Sequence, residues 1–224
     1  MTKNKITLTP DIYFENVPKT LNMNIRSELY STNEFTFAVA VILSAQATDK
    51  KVNEVTPKLF SIAPTPDKML ELGIDGLKKH IRVISFFNNK AENIIKLSTQ
   101  LQDKNSDDIN YKFPQKYHNR EELMKLAGIG QKTANVIMNV LWHAPNIGVD
   151  THVFRLSHRF GWVDESDNTP EKVEEKLLKF IPKKYHEMVN HVMVLHGRYT
   201  CKALKPNCVN CPVNKWCNAK DKLV

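Results

Sequence analysis

The four cysteines of this 224-residue chain all lie within one short segment. They follow the pattern C-x6-C-x2-C-x5-C, through Cys201, Cys208, Cys211 and Cys217. A disulfide framework usually distributes its bridges along a chain, so four thiols in one loop indicate a metal site instead. Thiolates bind both zinc and iron–sulfur clusters. The single C-x2-C pair with wider gaps on both sides favours a cubane cluster over a zinc ribbon, which usually has two such pairs.

A glycine-rich turn is the second place where the residue types could do chemistry. Residues 126–134 read LAGIGQKTA, and Gly128 and Gly130 are two of only seven glycines in the chain. Glycine permits a tight turn and a close approach of the backbone to a ligand. Amides at the start of the following helix can bind an anion such as a DNA phosphate. The flanking apolar residues favour a DNA-binding helix-hairpin-helix over a plain helix connector.

Lys132 lies in the predicted first turn of the second helix, and Asp150 follows 18 residues later. Most lysines are simply solvated, but a neutral amine in this place could attack a sugar C1′ and form a Schiff base. Asp150 precedes another predicted helix and could be its N-cap, or a carboxylate that stabilises developing positive charge. The sequence does not show that the two are close. His152 is interpreted as structural or phosphate-facing rather than as a catalytic base.

The elements that position these residues are predicted to be helices, and no convincing alternating strand pattern occurs. The apolar segment 34–47 is predicted as a buried helix, although its β-branched residues would also suit a strand. The polar segment 102–118 is interpreted as a surface connection, and residues before Glu28 give weak signals. Further helices are predicted from Thr65-Pro66 to about His80, from Asn89 with Glu92 as a capping box, from Asn119 with Glu122, from Thr169-Pro170, and around residues 185–192.

Charge and composition are compatible with a nucleic-acid partner. The formal net charge is +8, which favours attraction to a polyanion. The longest apolar run, from Phe37 to Leu43, is far shorter than the roughly 20 residues that span a bilayer. The first residues show neither an apolar signal segment nor an Arg-rich transit pattern. We therefore expect a soluble intracellular protein without a membrane partner.

Several motifs, in register, resemble one known family. They are LSAQATD at 43–49, KAENI at 90–94, LAGIGQKTAN at 126–135, VDTH at 149–152, LHGRYTC at 195–201, and the full cysteine spacing. From about Phe35 onward the chain resembles endonuclease III, a bacterial family of oxidised-pyrimidine DNA glycosylases with AP lyase activity. The resemblance implies an all-α fold of two helical lobes flanking a DNA-binding cleft. It implies a monomer in the bacterial cytoplasm, at the nucleoid.

The resemblance also implies a domain division. Residues 27–144 would form a six-helix barrel with the helix-hairpin-helix at about 120–142. Residues 1–26 would join 145–224 in a domain that holds a 4Fe-4S cluster on the loop 201–217.

Roles for single residues follow from the same resemblance. Lys132 matches the family's nucleophile and Asp150 its essential carboxylate. Gln46 matches the residue that fills the gap left by a flipped nucleotide, and Gly128 and Gly130 match the hairpin amides that hold phosphate. The implied partner is double-stranded DNA with damaged pyrimidines or abasic sites. The resemblance further implies that the damaged base is released and that the strand is then cleaved 3′ to the lesion by β-elimination.

Phe86, Lys202 and Lys205 are further candidates for DNA contact. Residues 85–87 read SFF where the family usually has Gly and a bulky pair, and Phe86 could still wedge into the base stack. Ala127 stands where Pro is common. Lys202 and Lys205 lie in the first gap between cysteines, where they would be solvated or would contact phosphates.

The sequence is also compatible with two other functions. A monofunctional glycosylase for mismatched bases would share the fold, but such relatives generally lack a lysine at the position of Lys132. A non-catalytic DNA-binding protein with a structural or redox cluster would share the hairpin, the charge and the cysteines. It would leave Lys132 and Asp150 without a role.

Overall fold

A computed structural model describes residues 7–21, 28–102 and 108–223 of the chain. Over these residues the chain forms ten α-helices and four short 3-10 helices, and no strand. The prediction of an all-α fold is therefore confirmed. The contacts divide the chain into two compact units, Ser27–His143 and Met1–Arg26 with Ala144–Val224. The predicted boundary at residues 26 and 27 lies outside the described residues, and the roles assigned to the two domains stay predictions.

The unit Ser27–His143 is built around one buried helix. The segment that could have been a helix or a strand is helix α2, and its residues Phe35 to Leu43 are buried on all sides. The kink in α4 lies at Gly73, which has a φ of 69°. The helices of this unit are α2 (Glu34–Ser44), α3 (Asp49–Ile62), α4 (Pro66–Ile81), α5 (Phe87–Leu101), α6 (Arg120–Met124) and α7 (Gln131–Trp142).

The second unit has its own apolar core, to which the segment near the N-terminus contributes Tyr13, Phe14 and Val17. Trp162 donates its indole N–H to the carbonyl of Leu8 at 2.8 Å, which fixes this segment to the later helices. The helices of this unit are α1 (Pro10–Asn16), α8 (Thr151–Phe160), α9 (Pro170–Phe180) and α10 (His186–Tyr199).

Helix starts that depend on a local cap agree with the sequence. Thr65, Asn119 and Thr169 are N-caps whose side chains accept a backbone N–H from the first turn. The predicted capping box at Asn89 is wrong, because α5 begins at Phe87 and Asn89 lies inside the helix. Its N-cap is Phe86, which has left-handed backbone angles and makes no side-chain cap.

The segment predicted as a surface connection is partly core. Residues 103–107 of it lie outside the described residues. The remainder carries three buried aromatic side chains, Tyr111, Phe113 and Tyr117, which belong to the core of the unit Ser27–His143. The polar residues between them hide this pattern in the sequence.

Candidate active site

The predicted helix-hairpin-helix is formed by α6, a five-residue helix, and α7, which begins at Gln131. Gly128 in the turn has a φ of 79°, a conformation that residues with a side chain rarely adopt. A Cβ at this position would lie 3.1 Å from Cβ of Asn93 and 3.2 Å from Cδ1 of Ile42. The turn therefore packs directly on α2 and α5, and only glycine fits there without strain.

Gln100, near the end of α5, fixes the hairpin through both ends of its amide. Its Nε2 donates to the carbonyl of Lys125 at 3.1 Å, and its Oε1 accepts the N–H of Ala127 at 2.8 Å. A proline at position 127 has no N–H and could not make the second bond. Ala127, which departs from the family pattern, thus adds a hydrogen bond to the turn.

The start of α7 is open. Gly130 is its N-cap and supplies no side-chain hydrogen bond to the first turn. A Cβ at Gly130 would have no atom within 4 Å, so the surface over it is unobstructed. The amides of a helix's first turn lack partners within the helix and carry the positive end of its dipole. Lys132, the second residue of α7, is exposed beside them.

Gln46 and Phe86 share an unusual backbone conformation. Gln46 lies in the loop between α2 and α3 with a φ of 53°, and Phe86 has a φ of 58°. Such angles cost energy in residues with a side chain and concentrate at functional sites. Both side chains are exposed, and 64% of the accessible surface of Phe86 is open to solvent. An exposed phenylalanine in a strained turn suits a wedge rather than a core residue.

Asp150 is the N-cap of α8. Its Oδ1 accepts the backbone N–H groups of His152 and Val153, both at 2.8 Å. These two bonds confirm the interpretation of Asp150 as a helix cap. Both are made by Oδ1, so the carboxylate is held in a fixed orientation and Oδ2 takes no part in the cap. Asp150 and Lys132 belong to different units, and their pairing stays a prediction.

His152 is half-buried where α8 packs on α10. A Cβ added to Gly197 would lie 2.8 Å from its Nδ1 and 2.9 Å from its Cβ, so the two helices approach closely because position 197 is glycine. Burial lowers the pKa of His152, and Arg155 lies 3.2 Å from its Nδ1. These contacts fit the structural interpretation of His152.

All four cysteines line one pocket. None is in a disulfide. Burial raises the pKa of the Cys201 thiol and raises that of Cys211 to about 11. In the described part of the chain, no three His, Cys, Asp or Glu side chains converge closely enough to hold a single metal ion.

Two arginines of α8 hold the cysteine loop and were not found from the sequence. Arg159 donates to Cys201 Sγ at 3.4 Å and to the carbonyls of Lys202 and Ala203 at 2.7 and 3.0 Å. Arg155 donates to the carbonyls of Gly197 and Cys201, both at 3.0 Å. Their spacing of four residues places them on one face of the helix. This spacing alone does not indicate a function, because it does not show that the cysteine loop packs against that face.

Two buried side chains, Tyr13 and His196, form a hydrogen-bonded chain that ends at Cys211. The hydroxyl of Tyr13 lies 3.0 Å from His196 Nδ1, and His196 Nε2 lies 3.5 Å from Cys211 Sγ. Burial lowers the pKa of His196 to about 4 and raises that of Tyr13 well above its usual value. Both groups are therefore neutral at physiological pH.

Lys202 and Lys205 are exposed on the loop between Cys201 and Cys208. Lys205 has a φ of 51°, a left-handed conformation in a residue with a long side chain. Arg159 fixes the backbone carbonyl of Lys202, while both lysine side chains remain on the surface. Within the residues that the structure describes, no helix is long and apolar enough to cross a membrane.

An all-helical fold with a helix-hairpin-helix turn is typical of one class of DNA-repair proteins, and comparison with known proteins agrees with that class. Residues 39–183 match the sequence model of the HhH-GPD superfamily base excision DNA repair proteins. The chain is 47% identical to endonuclease III of Haemophilus influenzae over 202 residues, which cover 90% of this chain and 92% of the relative. It is 42% identical to endonuclease III of Escherichia coli over the same shares of the two chains.

Solved structures give the same result. The fold matches a trapped endonuclease III–DNA covalent intermediate, an estranged-adenine complex, with a TM-score of 0.79 and 40% identity, over 95% of this chain and 97% of the other. A non-covalent endonuclease III–DNA complex matches with a TM-score of 0.79 and 39% identity, over 95% and 96% of the two chains. The chain belongs to the endonuclease III family of the HhH-GPD superfamily.

Proposed function

We propose that this protein is a base excision repair DNA glycosylase with AP lyase activity, which removes oxidised pyrimidines from duplex DNA. The observation that carries the proposal is the exposed Lys132 at the open start of α7, in a chain of the endonuclease III family. A relative with 40% identity has been captured as a covalent intermediate with DNA, which supports a nucleophilic mechanism.

Lys132 is proposed to be the nucleophile. The damaged base is flipped out of the duplex, which makes the sugar C1′ accessible. After the amine of Lys132 gives up a proton to a base, it forms a bond to C1′, and the damaged base leaves with the electron pair of the glycosidic bond and takes up a proton. Opening of the sugar ring gives a Schiff base with Lys132. Loss of a C2′ proton then breaks the C3′–O bond, which cleaves the strand 3′ to the lesion.

Asp150 is proposed to assist base release. A carboxylate near C1′ stabilises the positive charge that develops as the glycosidic bond breaks, and it can accept protons. The two hydrogen bonds to Oδ1 fix its orientation and leave Oδ2 for this task. Capping α8 and assisting catalysis are therefore compatible roles for one side chain.

The hairpin and the two strained loops are proposed to hold the DNA. The backbone amides of Gly128 and Gly130 are proposed to hold a phosphate, and the open surface over Gly130 supports this. Gln46 is proposed to occupy the space left by the flipped nucleotide. Phe86 is proposed to wedge between neighbouring bases, for which its exposure and fixed backbone are suited.

The cysteine pocket is proposed to hold a 4Fe-4S cluster through Cys201, Cys208, Cys211 and Cys217. The fit is supported by four free thiols around one space, and by Arg159 and His196 beside two of the sulfurs. When bound, the cluster supplies structural cross-linking of the loop rather than a reacting group, because Schiff-base chemistry needs no metal. Arg159 would then hold the Lys202 and Lys205 loop against DNA phosphates.

The colour of the purified protein separates the two metal alternatives. A 4Fe-4S protein is brown and absorbs broadly across the visible spectrum, whereas a zinc protein is colourless. Iron and sulfide analysis should give four of each per chain. Purification under oxygen-free conditions that yields a colourless protein with one zinc would contradict the cluster.

Lys132→Gln tests the enzymatic proposal. We expect this variant to lose strand nicking at an abasic site and to lose most base release from a duplex that carries one oxidised pyrimidine. Lys172→Gln is the matched control, because Lys172 is also exposed in the first turn of a helix, α9. If the wild-type protein releases the base but does not nick the strand, it is a monofunctional glycosylase. Tight DNA binding without either reaction would indicate a non-catalytic protein.

A further inference from the structure

Lys90 is a buried lysine that the proposed chemistry does not use. Only 6% of its surface is exposed, which is unusual for a lysine. Its Nζ donates to the carbonyls of Leu43 at 2.8 Å and Ala45 at 2.6 Å. These two acceptors are 47 and 45 residues earlier in the chain and lie at the end of α2.

The contact closes the end of a helix. The last carbonyls of an α-helix have no partners within the helix, and they carry the negative end of its dipole. An ammonium group placed there satisfies the carbonyls and is attracted by the dipole. Burial nevertheless lowers the pKa of Lys90, which shows that the position is unfavourable for a charge. Water or a glycine could satisfy the same carbonyls without burying an amine.

Lys90 lies close to two residues with left-handed backbone angles, Gln46 and Phe86. Ala45, whose carbonyl it binds, is followed directly by Gln46 with its left-handed backbone. Lys90 also lies in the first turn of α5, where its backbone N–H makes the helical hydrogen bond to the carbonyl of Phe86, the second left-handed residue, at 3.1 Å. The Lys90 side chain therefore ties the first turn of α5, which begins next to Phe86, to the residue that precedes Gln46.

We propose that Lys90 is a positioning residue that holds Gln46 and Phe86 in the backbone conformations in which they engage damaged DNA. The proposal rests on the proposed function, since it takes Gln46 and Phe86 as the residues that enter the base stack. Lys90 itself is buried and contacts the protein backbone rather than DNA.

Lys90→Met tests the proposal, because methionine keeps much of the apolar stem and removes the two side-chain hydrogen bonds to the carbonyls of Leu43 and Ala45. Lys96→Met is the matched control, since Lys96 is exposed on the same helix. We expect Lys90→Met to lower the ratio between base release from a lesion duplex and cleavage of a single-stranded abasic site by about tenfold. A single strand has no opposite base and no paired stack to hold open. Equal losses on both substrates would overturn the proposal.

A double variant separates positioning from general destabilisation. If Lys90 acts through Gln46, then Gln46→Ala and Lys90→Met remove parts of the same effect, and the double variant should be little slower than the slower single variant. Full additivity of the two losses would contradict the proposal. If Lys90→Met does not fold, Lys90→Gln, which keeps a donor on a shorter side chain, replaces it in the same comparison.

The closing experiment does not depend on catalysis. A duplex carries a non-cleavable abasic analogue with 2-aminopurine beside it, whose fluorescence rises when the base is unstacked. We expect wild type and Lys96→Met to raise the fluorescence, and Lys90→Met to raise it by less than half as much at saturating protein. An unchanged rise with Lys90→Met would overturn the inference. Failure of the enzymatic proposal would instead show as wild-type unstacking without any base release or nicking.

Discussion

Replacing Gly128 by alanine should destabilise the hairpin by an amount that the structure allows us to work out. The backbone φ of 79° is in the left-handed region, where a residue with a Cβ costs about 1–2 kcal/mol. The new Cβ would lie 3.1 Å from Asn93 and 3.2 Å from Ile42, both in packed helices. Overpacking of this kind costs about 1–3 kcal/mol. We therefore expect a loss of about 2–5 kcal/mol.

Urea unfolding, followed by circular dichroism, measures this loss as a shift of the midpoint at an unchanged slope. Gly130→Ala is the control, because its Cβ would meet no atom within 4 Å and its φ is −89°, so its cost should stay below about 1 kcal/mol. The reasoning about packing and φ is refuted if both variants unfold at the same urea concentration as wild type.

Three other substitutions test separate parts of the account. Asp150→Asn keeps an oxygen for the cap, so stability should change by less than about 1 kcal/mol while base release falls about 100-fold or more; loss of stability with normal activity would contradict this. Gly197→Ala should destabilise the folded protein by about 1–3 kcal/mol, although alanine usually favours a helix, because the new Cβ would clash with His152. An unfolding temperature above that of the wild type would contradict this. Tyr13→Phe should cost about 1–3 kcal/mol in urea unfolding, because it leaves His196 Nδ1 without its partner; an unchanged midpoint would show that water replaces the hydroxyl.

Local signals in the sequence predicted the helix starts well. Thr65 and Thr169 are followed by proline, and each caps its helix as expected because the cap involves only neighbouring residues. The same Thr-Pro pair at Thr9 begins α1, so that helix was also readable from the sequence, although it was not predicted. The start of α5 could not be predicted, because phenylalanine is not a preferred N-cap residue and rarely adopts left-handed backbone angles.

Contacts between distant segments could not be predicted. The bonds from Lys90 to the end of α2 and from Arg159 to the cysteine loop join residues more than 40 positions apart. The positions of Lys132 and Gly128 in the hairpin followed from the glycine spacing, since a turn is local. Whether Lys132 and Asp150 act together depends on tertiary arrangement, which no local pattern encodes.

Borohydride trapping tests the central claim most directly. Reduction converts a Schiff base between the protein and an abasic sugar into a stable covalent bond, which a denaturing gel detects. The account predicts a covalent protein–DNA band with a duplex that carries one oxidised pyrimidine and with an abasic duplex, no band with undamaged DNA, and no band with Lys132→Ala. A band that persists in Lys132→Ala, or no wild-type band on either damaged duplex, would contradict it.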